Sequence, residues 1–361
     1  MPDPVKLFYT YSQIYQLSYA LPIYRAAGGT FLVKNLRKWI QFKKYMRGLG
    51  RTIDPVCLLG TPPVKQMGPQ KYESLTGVHI TPSVENFYPP NDQIINIFTG
   101  HGSGDKPYLG KQIYEKMATF DFHFLAGPKS LKKLHDKNVN LHPSKLIKIG
   151  NMRFDDYLNN QIDRAREYDR LGIKNRELKN ILYAPTWQWG KGSLLMWAHR
   201  FSEELGTDYN LIIRPHGHDR MKISKLQRFV KTKQLENIYF SNPSDLARHD
   251  TMNDFAVSDL LISDRTSSIV YEYLVTSKPV IVIENDFKET HEMPAHMLID
   301  DIAGHWDKKA SISKLVKHSF SNHAGRLADY KSLLNTCFYF NDGKSTQRAI
   351  EFIEDVKKEL K

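Results

Sequence analysis

The sequence predicts an α/β protein built as two open, parallel-sheet domains of similar size. Three observations predict this. Short β-branched or aromatic runs alternate with helix-like segments along most of the chain. The alternation breaks at a charged, apolar-poor stretch around 160–168 and then begins again. With 361 residues the chain has room for two domains of about 150 residues each.

The elements follow in order. Residues 5–9 open as a strand, with a helical stretch to about Tyr24; residues 29–33 form a second strand, and a basic helix runs to about Met46. Runs at 56–59, 94–98, 122–125 and 146–149 continue the strands, with a helix from Ser130 to Asp136 among Gly/Pro loops. The charged helix at 160–168 reads as a bridge. Beyond it come strand 180–184, helix 195–205, strand 209–213, helix 223–231, strands 238–240, 260–263 and 279–283, and an amphipathic helix at 347–360. Strands this uniformly apolar, separated by helices, belong to parallel sheets covered on both faces. The expected division is an N-terminal domain over 1–170, a C-terminal domain over 171–340 and a terminal helix over 341–361. Two such sheets imply a cleft, with ligands outside the carboxyl ends of the strands.

Composition narrows the class. Hydrophobic residues at 41% and charged residues at 25% exclude a disordered chain. No apolar run reaches the roughly 18–20 residues of a membrane span, and the N-terminus lacks the basic and apolar regions of a signal peptide. Two cysteines, Cys57 and Cys337, cannot build a disulfide framework or a four-thiolate zinc site. A cytoplasmic protein is expected, soluble or peripheral on the inner face of the cell membrane. The net charge of +12 (51 − 39) favours an anionic partner. Zinc-finger spacing and RNP-like aromatic patterns are missing, which disfavours nucleic acid.

Chemistry-bearing residues gather just after strands. The run 94–98 leads into Thr99-Gly100-His101-Gly102-Ser103-Gly104-Asp105-Lys106. Its glycines permit close backbone approach and offer N–H groups to an anion, and His101 is the natural acid/base. The alternative is a plain Gly-rich turn carrying a solvated histidine. Lys106 lacks the spacing and following hydroxyl of a Walker A loop. Strand 209–213 leads into Arg214-Pro215-His216-Gly217-His218-Asp219, which suits phosphate binding by Arg214 beside a proton donor, His216. The two histidines lack a third spaced ligand apart from Asp219, so no metal is expected. After 260–263 come Asp264-Arg265-Thr266-Ser267-Ser268, hydroxyls enough for a phosphate cradle where an ordinary N-cap needs one. Glu272 lies a turn further on, within reach of a ribose hydroxyl. Pro185 and Thr186 follow strand 180–184; a proline-terminated strand is the plainer reading there.

These residues resemble a known family. ILYAPTW at 181–187, HG at 101–102 with Lys106, RPH at 214–216, SDLLISDRTSS at 258–268 and GNMRFD at 150–155 are similar to motifs of the CDP-glycerol glycerophosphotransferases, which include teichoic acid primases and polymerases. The resemblance implies a GT-B fold of two Rossmann-like domains facing across a cleft. It implies transfer of glycerol or ribitol phosphate from a CDP-activated donor to an acceptor hydroxyl, with no metal and no cofactor beyond that donor. By position, His101 becomes the base on the acceptor, and His216 supports the donor phosphates or leaving group. Thr266, Ser267 and Ser268 hold the pyrophosphate; Gly102, Lys106, Arg153, Pro185, Thr186, Arg214, Asp264 and Glu272 complete the binding set. The chain departs from the family at Arg265, at Met152 in place of a proline, and at TGHGSGDK in place of WHG-x-x-x-K.

The expected product is a teichoic-acid-like or capsular polymer, and the expected acceptor is lipid-linked or a polysaccharide. Glycosyl transfer or sugar-nucleotide epimerisation is the alternative on the same fold, and a degenerate nucleic-acid-binding protein is the reading from another class. Residues 33–51 carry Lys34, Arg37, Lys38, Lys43, Lys44, Arg47 and Arg51 without an acidic residue. On a helix, Trp39, Phe42, Met46 and Leu49 share one face, with Arg37, Lys44, Arg47 and Arg51 opposite. That pattern suits docking on an anionic membrane, or a helix packed on its sheet with a solvated basic face.

Overall fold

In the computed structural model, residues 6–33, 36–48, 56–57, 76–84, 93–107, 111–241, 250–285, 287 and 289–360 are described. Lys34, Leu49 and Arg51, and residues 5, 58 and 59 of the expected strands, lie outside them. The chain divides into two units: Met1–His101, Tyr108–Asp155 and Phe338–Lys361 form the first, Gly102–Pro107 and Asp156–Cys337 the second.

In the first unit, strands β1 (Leu7–Tyr9), β2 (Thr30–Val33), β3 (Val56–Cys57), β4 (Gly77–Thr81), β5 (Ile94–Phe98), β6 (Phe122–Leu125) and β7 (Leu146–Lys148) form a parallel sheet. Its order is β3-β2-β1-β4-β5-β6-β7. The helices are α1 (Leu21–Ala27), α2 (Leu36–Gly48), α3 (Lys111–Met117) and α4 (Pro128–Asp136). The helical stretch expected after β1 starts as a 3-10 turn, Ile14–Tyr19. Strand β4 was not expected, because His79 breaks its apolar run. Buried His79 is satisfied sideways instead: its ring nitrogens lie 2.8 Å from Thr10 Oγ1 and 2.9 Å from Asn96 Oδ1, one on each neighbouring side of β4. Burial pulls its pKa down to about 4, so the ring stays neutral in this network.

The first unit is left within α5 (Asp155–Leu158). The second holds β8 (Asn180–Tyr183), β9 (Asn210–Ile213), β10 (Ile238–Phe240), β11 (Leu260–Asp264), β12 (Val280–Ile283) and β13 (Gly304–Trp306). Their order is β10-β9-β8-β11-β12-β13, all parallel. Helices α6 (Arg164–Leu171), α7 (Leu194–Leu205), α8 (Ile223–Thr232), α9 (Thr251–Val257), α10 (Ser268–Glu272), α11 (Ile312–Asn322) and α12 (Leu327–Cys337) accompany them. One face of the sheet packs Ile181, Tyr183, Leu211, Ile213, Leu260 and Ile262 against α7 and α11, all nearly solvent-free.

Helix α6 corrects the expected bridge. Asp163 caps it through the N–H groups of Ala165 and Arg166, and Gly172 ends it in the left-handed region at φ 72°. Two of its charges face inward: Arg170 pairs with Glu167 and reaches the fully buried Asp254 of α9 at 2.6 Å, while Arg164, Arg166 and Asp169 stay exposed. The helix looked like a solvated link because its partner carboxylate lies far along the chain. The last helix, α13 (Ser345–Glu359), returns to the first unit. There Asp155 accepts from the N–H groups of Ser345 and Thr346 at 3.1 and 2.7 Å, and Gly150, at φ 91°, lies where a Cβ would come 2.5 Å from Ser345 Oγ. The glycine and aspartate of GNMRFD are therefore required by packing and capping.

Both sheets reverse strand order once, between β1 and β4 and between β8 and β11. Such switch points leave a crevice at the strand carboxyl ends, where this class of sheet binds ligands.

Candidate active site

At the second unit's switch point, the carboxylate of Asp264, ending β11, reaches across to the loop after β8. Its Oδ2 accepts from Thr186 N at 2.7 Å and Ser193 N at 3.2 Å, while Oδ1 has no hydrogen-bond partner among the described residues. Burial raises its pKa to about 6, against the bonds from Ser193 and Thr186 and the charge of Lys106. A buried acceptor without a donor is costly unless a ligand supplies one. Lys106 donates to Thr186 Oγ1 at 2.7 Å, and its ammonium lies 5.1 Å from the Phe287 ring centroid. Burial brings the Lys106 pKa down to about 8, partly offset by Asp264. A poorly solvated ammonium poised at a strand end is suited to an anion.

The 266–268 segment follows directly. Asn285 Nδ2 donates to Thr266 Oγ1 at 3.0 Å, and Ser267 is the N-cap residue of α10 without a side-chain capping bond. Arg265 turns to Asp300, with bonds of 2.5 and 2.7 Å, so the residue that departs from the family pattern braces the loop. Glu284, Asp300 and His305 offer ligand atoms within 4.8 Å of one another, with the Arg265 guanidinium bound to that Asp300. Glu272 is buried on α10, at 3% exposure. Pro185 lies between β8 and Thr186.

After β9, the two expected residues behave differently. Arg214 gives one Nη to the buried Asp254 at 2.5 Å, beside Arg170 and Ser241, which donate to the same carboxylate. Burial alone would raise the Asp254 pKa, but Arg214 and Arg170 hold it below the usual carboxylate range. Much of the Arg214 charge is thus committed to a structural pair. His216 accepts from His218 N through Nδ1 at 3.3 Å, which leaves its proton on Nε2. Burial, reinforced by His218, lowers its pKa to about 4, so it presents a neutral N–H donor. Its ring neighbours Trp187 at 6.0 Å and His218 at 5.2 Å, and Trp187 lies parallel to Trp189.

In the first unit, His101 follows β5. Its Nδ1 lies 2.5 Å from Pro82 O just after β4, which makes Nδ1 the protonated nitrogen and Nε2 the basic one. Gln16, after β1, was missed by sequence reading. Its amide oxygen accepts from Ser12 N, Ser12 Oγ and Gln13 N at 2.9–3.0 Å, which turns its NH2 to the His101 ring at 3.4 Å. The only sequence signal was the capping-box spacing of Gln13 and Gln16. Arg153, also in this unit and largely buried, donates to Tyr19 Oη at 2.9 Å. Gly102, at φ 92°, belongs with the second unit and allows the chain to turn after His101.

Two parallel sheets, each reversing its strand order once with polar residues gathered at the strand ends, have the GT-B architecture. The family described as CDP-Glycerol:Poly(glycerophosphate) glycerophosphotransferase matches residues 99–355, and the chain belongs to that family. It is accordingly a transferase that moves a polyol phosphate from a CDP-activated donor. Among solved structures, the wall teichoic acid polymerase TagF, in a variant soaked with CDPG, is similar at TM-score 0.73 and 16% identity, over 99% of this chain and 90% of that one. Another TagF structure gives 0.71 and 16%, over 98% and 89%. The UDP-GlcNAc 2-epimerase from Neisseria meningitidis bound to UDP-GlcNAc gives 0.57 and 13%, over 97% and 100%. A search of curated proteins found no match.

Proposed function

We propose that the enzyme extends a teichoic-acid-like or capsular polymer by transferring glycerol or ribitol phosphate from its CDP ester to a hydroxyl of a lipid-linked or polysaccharide acceptor. The observation that carries this is Lys106, an ammonium held at the β8/β11 switch point by Thr186. His101 Nε2 takes the acceptor proton as the oxygen attacks the donor's β-phosphorus. The bond to the bridging oxygen breaks and CMP departs with the electron pair. Lys106, the His216 Nε2–H and the N–H and hydroxyl groups of Thr266, Ser267 and Ser268 stabilise the phosphate charge. Arg153 and Glu272 serve substrate binding in this reading, with Glu272 on the ribose; no metal and no further cofactor is required.

Incubation with CDP-glycerol, CDP-ribitol and UDP-sugars tests it. Release of CMP, undiminished by excess EDTA, is expected from one of the CDP-polyols. Release of a nucleoside diphosphate would mean glycosyl transfer, and metal-reversible loss would overturn the metal-free reading.

We further propose that α2 holds the enzyme peripherally on the cytoplasmic face of an anionic membrane. Phe42, Tyr45 and Met46 are buried, and Trp39 is partly covered, with Lys43 Nζ 4.4 Å from its ring centroid. The exposed side carries Leu36 and Ile40, 44% and 53% accessible, among exposed Arg37, Lys44 and Arg47. Apolar side chains ringed by cations fit a headgroup layer, where each cation contributes about 1 kcal/mol. No helix among the described residues is long and apolar enough to cross a membrane. Co-sedimentation with phosphatidylglycerol vesicles is expected at low salt, and Arg37→Glu/Lys44→Glu should abolish it. Equal partitioning onto neutral vesicles would leave α2 a purely structural helix.

A further inference from the structure

We propose that Asp105 and Tyr271 are a positioning pair that sets where Lys106 presents its charge; this rests on the reading of Lys106 as a donor-phosphate ligand. The Tyr271 hydroxyl, on α10, donates to Asp105 Oδ2 at 2.6 Å, and both residues are buried, at 0% and 4% exposure. Burial, with the Asp105 charge beside it, raises the Tyr271 pKa, so the phenol stays a donor throughout the working range. The Asp105 backbone is held as well, its carbonyl accepting from His291 N at 2.7 Å.

The neighbours of Asp105 give the pair its purpose. Gly104 lies so close to α10 that a Cβ would stand 2.8 Å from Ser268 N and 2.9 Å from Ser268 Oγ. On the other side, Lys106 reaches Thr186. The 102–107 segment therefore touches α10 at Ser268 and at Tyr271, and the β8 loop at Thr186. The contacts at Ser268 and Tyr271, with the bond from His291 N, fix the chain just before Lys106, and the Lys106 side chain then reaches Thr186. A buried carboxylate is a costly way merely to fill space, since an apolar residue of similar volume does that without desolvation. A short charge-assisted bond between rigid elements specifies position instead.

Tyr271→Phe keeps the ring and removes the bond. It should lower kcat/KM for the CDP-polyol by about 10- to 100-fold, the range for a hydrogen bond to a charged group. In a Lys106→Met background the same change should cost less than about twofold, because a pair acting through Lys106 has nothing left to position. Asp105→Asn, which keeps an acceptor oxygen, should recover most of the loss seen in Asp105→Ala. Acetic anhydride labelling of Lys106 across pH in the donor-free protein gives a readout independent of turnover, and its midpoint should move in Tyr271→Phe. Costs that multiply in the double variant, or a labelling midpoint unmoved by Tyr271→Phe, overturn the proposal. Absence of turnover with any CDP-polyol in the unmutated enzyme would refute the functional reading instead, with the labelling midpoint still deciding the pair.

Discussion

Replacing His101 by alanine is expected to cut turnover by roughly 10²- to 10⁴-fold, the span for loss of a general base. Affinity for the CDP-polyol should remain within a few-fold. The expectation rests on how the ring is held. Pro82 O, 2.5 Å from Nδ1, holds the proton on that nitrogen, which leaves Nε2 as the accepting one; the Gln16 NH2 faces it at 3.4 Å, a long contact that an acceptor hydroxyl would displace. An imidazole oriented by an acceptor on one nitrogen and basic on the other is the arrangement that proton abstraction needs. Gln16, locked by Ser12 and Gln13, braces the ring from a second side. Isothermal titration of the donor beside single-turnover kinetics separates the two effects. Turnover near that of the unmutated enzyme would remove His101 from the chemistry, and lost donor affinity would make it a binding residue.

What was legible in the sequence follows from where each signal resides. The two parallel sheets could be read because strands such as Val280–Ile283 are apolar at every position, which only burial on both faces explains. β4 escaped because His79 is satisfied by Thr10 and Asn96, partners supplied by strands whose adjacency the sequence does not state. β13 escaped because it is three residues long and begins at a glycine. The site divided along the same line. Histidines and hydroxyls after strands could be named from their local pattern, yet the place of the His101 proton depends on Pro82 O, which only the fold brings near.

Arg214 marks the limit most clearly. Its RPH setting after a strand suited a phosphate ligand, but α9 was not foreseen, and with it Asp254 was missed. A carboxylate with no exposed surface must be paired, and Arg214 and Arg170 are its partners. The cation best placed at the switch point is Lys106, from a glycine-rich segment that lies in sequence between parts of the first unit and packs with the second.

Lys106 therefore carries the second large effect. Lys106→Met should lower kcat/KM for the CDP-polyol by about 10²- to 10³-fold, as loss of one preorganised charge-stabilising donor does. The pH dependence identifies the group. Burial brings the amine to about 8, so below that pH it is the ammonium that binds phosphate, and above it the neutral amine that does not. The profile of kcat/KM, which reports the free enzyme, should fall about tenfold per pH unit above roughly 8. In kcat the same limb should move to higher pH, because bound phosphates favour the ammonium. Lys106→Arg should be slower, since a guanidinium does not reproduce a point charge, but its alkaline limb should vanish because arginine does not titrate there. An alkaline limb that persists unchanged in Lys106→Arg would assign it to another group and leave Lys106 as packing beneath Thr186.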